Sequence, residues 1–175
     1  MFTKRNQGFY DSYFIETIIP KLKRDGILPP NVGNVVAFGN EGVIMEYSAG
    51  KVIKLVPTYE MFPDSDGVDY HLNKLKSIPD FELFVKIFEV GKLKGYDEEV
   101  GDNIVYAVYA VMEKLDQLTR DEKFIIDEVV SNPESVESLP DSDLKDFLRI
   151  YVKMRGDISS DNVMKRNDKY IIIDL

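Results

Sequence analysis

The sequence predicts an α+β protein, with a sheet region first and helices after it. Three observations carry that prediction. Between residues 32 and 57 the apolar residues recur as in short strands, in VGNVVAFG, GVIMEYS and KVIKLVP. Two further strand-like runs follow at 83–94 and 103–115. From residue 119 the period lengthens to that of amphipathic helices.

The elements follow in order. Tyr10, Phe14, Ile18 and Leu22 recur at helical spacing over residues 9–25, and Pro20 is expected to kink or end that helix. The aromatic residues between 9 and 14 are expected to dock it on the sheet. Gly26 and the Pro29-Pro30 pair close the segment. Ser48-Ala49-Gly50 is a tight turn, so the first three strands should form an antiparallel meander. After the turn-rich stretch at 58–67, Val68, Leu72 and Leu75 mark one face of a short helix, which Ser77-Ile78-Pro79 stops. The acidic stretch GYDEEVGDN at 95–103 is expected as a solvated loop joining the last two strands.

Helices are expected at 119–132 and 141–154. The second carries Leu144, Phe147, Leu148, Tyr151 and Val152 as its apolar stripe, with Asp141, Ser142 and Asp143 as caps and first-turn acids. GDISSDN then reads as a loop and YIIID as a short final strand. A chain of 175 residues can bury one core, and the expected division is a single domain. Residues 1–31 form its N-terminal helix and linker, 32–115 a sheet lobe and 116–175 a helical lobe.

Composition narrows the chemistry. Cysteine is absent, which excludes disulfides, thiolate metal sites and cysteine nucleophiles. A single histidine, His71, excludes multi-histidine metal centres, and its place beside Leu72 suggests simple packing. Carboxylate, lysine, hydroxyl and amide remain. The net charge of −9 and the scattered Lys and Arg residues argue against a nucleic-acid partner. The acids are spread along the chain among lysines, which argues against a compact DNA-mimicking surface. No long apolar window occurs and no apolar segment backs the N-terminal MFTKRNQGFY, so the expectation is a cytoplasmic protein with neither membrane span nor signal peptide.

Three separated elements could carry chemistry: Lys54 on the third strand, Asp157 with Asn162 in GDISSDN, and Asp174 at the end of YIIID. Singly, each is ordinary: an edge lysine, turn-forming polar residues, a cap after a strand. In this order and on these elements they resemble the protein-kinase-like fold family. Gly39-Asn40-Glu41-Gly42 matches the glycine-rich loop, and Val52-Ile53-Lys54 the strand lysine. Met112-Glu113-Lys114-Leu115 falls where the family has its hinge. Arg155-Gly156-Asp157, with Asn162 following Asp157 by five residues, matches the catalytic loop, and Asp174-Leu175 the start of the metal-binding motif. The Gly156-Asp157 form is closer to aminoglycoside-type and small phage-encoded kinases, and the likeness extends to the host-directed kinases of lytic podophages. It covers residues 32–175.

The resemblance implies a five-stranded antiparallel sheet lobe with one helix, followed by a minimal helical lobe. It also implies ATP and Mg²⁺ as ligands, and the host cytoplasm as the setting of a phage protein. Lys54 would neutralise phosphates, and backbone amides around Gly39, Asn40 and Gly42 would cover them. Glu113 and Leu115 would border the nucleotide, Asn162 and Asp174 would hold Mg²⁺, and Asp157 would orient the acceptor hydroxyl. Asp69 stands about where the family keeps a Glu that pairs with the lysine. The implied activity is phosphoryl transfer to Ser or Thr of a protein; the alternative is a pseudokinase-like module that binds a host or partner protein. The sequence departs from the family at Glu41 and Ile44, where glycines would fall, and at Ser159, where a helper cation often stands. It ends one residue past Asp174, with no counterpart to the activation segment. That ranks nucleotide binding above transfer to a protein.

Overall fold

The computed structural model describes residues 12–39, 42–58, 65–154 and 159–173. The chain forms two compact units: one holds the residues up to Ser77 together with Ile87–Lys114, the other Ile78–Lys86 with Leu115–Leu175. The architecture is α+β, as the strand and helix periods predict.

The first unit is built on a five-stranded antiparallel sheet of β1 (Val35–Gly39), β2 (Gly42–Ser48), β3 (Lys51–Pro57), β4 (Ile87–Asp97) and β5 (Asp102–Glu113), in the order β1-β2-β3-β5-β4. The meander is present, and Gly50, at φ +74°, turns the chain from β2 to β3. Central β3 buries Val52, Ile53, Leu55 and Val56, so its apolar residues run together instead of alternating, as in a strand covered on both faces. Paired residues share a face of the sheet. One face therefore carries Ile53 and Leu55 with their partners Met45, Val43 and Val111, and these pack with Phe14, Ile18, Ile19 and Leu22 of the N-terminal helix. The helix α2 (Ser65–Lys76) packs on β4 and β5, with Val68 and Leu75 buried.

Pro20 does not end the first helix. A π-helical stretch, Phe14–Ile18, runs directly into α1 (Ile19–Arg24), and Pro20 lies in the first turn of α1. The Ile19 amide donates to the Phe14 carbonyl five residues back, so the widened turn removes the i−4 bond that proline cannot donate. Tyr10 lies outside the described residues.

Two other expectations are corrected here. Strands β4 and β5 run on to an Asp97–Asp102 pair, which leaves a turn of 98–101 rather than a long solvated loop. Its anchor is Asp97, only 5% exposed, whose carboxylate accepts from the Glu99 and Val100 amides and the Tyr106 hydroxyl. The fourth strand also begins at Ile87, not residue 83, because 83–85 pair with the end of the chain: the Val85 amide donates to Ile172 and the Ile172 amide to Leu83.

The second unit holds α3 (Arg120–Ser131), a 3₁₀ segment Pro133–Ser138, α4 (Asp143–Tyr151) and the hairpin β6 (Val163–Arg166)–β7 (Lys169–Ile172). Thr119 and Glu122 form a reciprocal capping box at the start of α3. Ser142 caps α4, whose Phe147, Leu148 and Tyr151 enter a core with Ile126, Val129, Val163 and Ile172. Strand β6 was not expected. It holds only Val163 fully inside, so no alternation announces it, and Asn167 and Asp168, both at positive φ, turn it back into β7. Among the described residues no helix is long and apolar enough to cross a membrane.

Candidate functional site

Lys54 stands on the central strand, half-buried, in a cross-strand row with Ile44, Ala110 and Val90. Two residues along β3, Val56 pairs with Val108 and Val108 with Lys92, so Lys92 shares the Lys54 face. Asp69 on α2 meets Lys92, with Nζ to carboxylate at 2.7 Å, and the Lys92 ammonium holds the Asp69 carboxyl below its usual range. The expected Lys54–Asp69 pairing thus has a different lysine on the same face, because α2 packs on β4 and β5.

Gly39 and Gly42 face each other across the β1–β2 turn; Asn40 and Glu41, between them, lie outside the described residues. Gly42 is at φ +131°, and a Cβ there would lie 2.1 Å from the Leu55 carbonyl oxygen. Its glycine is therefore demanded by the close passage of β2 over β3. Glu113 ends β5 opposite Lys51, and the boundary between the two units falls between Lys114 and Leu115, within the segment expected as the hinge.

In the second unit, residues 155–158, with Asp157, and Asp174 lie outside the described residues. The flanks of both are ordered by specific bonds. The Tyr151 hydroxyl donates to the Ser159 carbonyl (2.9 Å) and accepts from the Ser159 amide (3.1 Å). Asp127 on α3 accepts from the Ser160 amide (3.0 Å) and the Ser160 hydroxyl (2.9 Å). Ser160–Asn162 then form a single 3₁₀ turn. The Asn162 carbonyl accepts from the amide of Ile173, the residue before Asp174, at 2.9 Å. The β6–β7 hairpin thus brings Asn162 and Ile173, eleven residues apart, to one hydrogen bond at its open end.

A carboxylate hub fixes that hairpin to α3. Glu122 accepts from the Thr119 amide and hydroxyl, from Tyr170 and from Lys165. Burial opposes its charge, but these donors outweigh burial and bring it to about 2. The Tyr170 hydroxyl is raised, by burial first and by Glu122 next. Arg166 donates to the Glu82 and Phe84 carbonyls and secures the other side of the hairpin.

Glu122, Asp127, Tyr151, Lys165 and Tyr170 were not singled out from sequence as site residues. Glu122 carried the capping-box spacing from Thr119, which announces the cap but not the hairpin partners, and Asp127 carried a weaker signal, since an Asp in the middle of a helix asks for a partner. Among the described residues no three His, Asp or Glu side chains gather as a metal cage. The donors expected of Asn162 and Asp174 are hard oxygens of the kind Mg²⁺ prefers. A scan against protein-family models finds no match to this chain, and a search of curated proteins finds no relative.

Proposed function

We propose that the chain is a protein-kinase-like phosphotransferase that binds ATP with Mg²⁺ and phosphorylates Ser or Thr of a protein. The observation that carries the proposal is the Ile173–Asn162 bond. It sets the residue preceding Asp174 against Asn162, at the exit of the segment that holds Asp157. Asn162 and Asp174 would hold the metal, which when bound supplies charge neutralisation for the phosphates. Lys54, fixed on a central strand, would bind the phosphates as a compact cation. Asp157 would orient the acceptor hydroxyl and take its proton as the bond from the γ-phosphorus to ADP breaks and the bond to the hydroxyl oxygen forms.

A second reading, a binding module without transfer, is favoured by two observations. Gly42 has a purely structural requirement, and Asp69 is engaged by Lys92.

Thermal unfolding with and without Mg-ATP separates them. A ligand at ~100 times its dissociation constant adds about 2.7 kcal/mol of stability, so a clear rise in melting temperature is expected at millimolar nucleotide. No shift removes the nucleotide reading and leaves the module. With binding present, Asp157→Asn should keep ATP affinity and lower transfer of radiolabelled phosphate by roughly 10²–10⁴. Unchanged labelling removes Asp157 from the base role.

A further inference from the structure

We infer that Asp127 and Tyr151 are positioning residues for Asn162, an inference that rests on the proposed metal role of Asn162. The Ser160–Asn162 turn has no cap from its own flank: Ser159, the residue before it, makes no side-chain bond to it. The cap comes from another helix. The Asp127 carboxylate spans the Ser160 amide and hydroxyl, giving one oxygen to each. A short 3₁₀ turn has poor internal bonding, so such an external acceptor decides whether it holds its shape.

The second anchor is one residue earlier. Tyr151 is 1% exposed, and its hydroxyl engages both polar groups of Ser159. The same Ser159 carbonyl accepts from the Asn162 amide at 3.2 Å, and the Asn162 carbonyl accepts from Ile173 at 2.9 Å. Asn162 is thus held at its amide through Ser159, which Tyr151 fixes while Asp127 fixes the adjacent Ser160, and at its carbonyl through Ile173. Residues that orient a ligating side chain without touching the ion set metal affinity strongly, and their loss typically costs 10–100-fold.

The test uses the full chain and titrates ADP with and without Mg²⁺ for wild type, Asp127→Asn, Tyr151→Phe and Asn162→Ala. Asp127→Asn is isosteric but can accept only one of the two Ser160 bonds, and Tyr151→Phe removes only the hydroxyl. Both should weaken Mg-ADP roughly tenfold and change metal-free ADP by less than about twofold. Amide exchange at Ser159 and Ser160 in the ligand-free protein should quicken in the same variants. Equal weakening with and without Mg²⁺ would mean general loosening and would overturn the inference while sparing the nucleotide reading. Wild-type Mg-ADP affinity in both variants, with Asn162→Ala impaired, would overturn it as well. If wild type ignores Mg²⁺, or Asn162→Ala binds Mg-ADP as wild type does, the metal role of Asn162 falls and the inference with it.

Discussion

At the scale of single residues, the second unit depends on one carboxylate. Glu122 caps its own helix and reaches Lys165 and Tyr170 in the hairpin, 43 and 48 residues away. Its folded value, about 2, lies below the ordinary 4.5. A depressed carboxyl contributes stability above its unfolded value and loses it as pH falls through the folded one. The contribution is therefore complete above about pH 4.5 and fades toward pH 2, with a ceiling on the order of 3 kcal/mol. Glu122→Gln keeps the shape and part of the cap but loses the charge. It should lower stability by about 1–3 kcal/mol at pH 7. The gap to wild type should narrow as denaturant midpoints are followed from pH 5 down to 3. A gap that stays constant with pH would show that shape, not charge, is what Glu122 supplies.

At the scale of elements, Gly42 separates two reasons for a glycine beside a candidate phosphate loop. At φ +131°, with the Leu55 carbonyl where a Cβ would go, Gly42→Ala should destabilise the ligand-free protein by roughly 1–3 kcal/mol. A glycine kept only to admit phosphates would show no such loss without nucleotide. Chemical unfolding of the ligand-free variant decides the matter.

Elements were legible where burial wrote a period into the chain. Strand β2, α2 and the stripe of α4 each show one, while β3 shows an unbroken apolar run. Strand β6 shows none, since Met164, Lys165 and Arg166 are all half-buried, and the Asn167-Asp168 turn is a weaker hairpin sign than Asn-Gly. The helix end that Pro20 could have marked is absent because a π-helical stretch absorbs the proline. Asp97 looked like one acid of a solvated run, yet it is the buried anchor of a turn. The candidate site was read as an ordered set of residue types; of that set the structure shows Asn162 bonded to Ile173, the residue before Asp174. Its supports were not legible, because Glu122 and Asp127 act on partners dozens of residues away that local patterns cannot reveal.

At the scale of the whole molecule, composition sets how stability answers to pH. The net charge of −9 comes from 31 acids against 22 bases, with one histidine and no cysteine. Among the described residues every carboxyl with a resolved shift is lowered. For Asp97 burial is the largest single influence and opposes the charge, but the Val100 amide, the Tyr106 hydroxyl and the Glu99 amide together outweigh it; Asp25, Asp69, Glu82 and Glu137 are lowered by lysine or arginine partners. Their contributions are complete above pH 4 to 4.5 and are lost in acid. The raised groups Lys21, Lys165, Lys169 and Arg149 lose theirs only above pH 10, as pH rises through their folded values. Self-repulsion of the acidic chain also eases as pH falls toward its isoelectric point near 4.7, which offsets the first losses in acid. The melting temperature should therefore stay nearly level from pH 7.5 to 5.5 and drop steeply below about pH 4. A scan in buffers of matched ionic strength tests this. A step of several degrees between pH 6 and 7 would contradict the plateau.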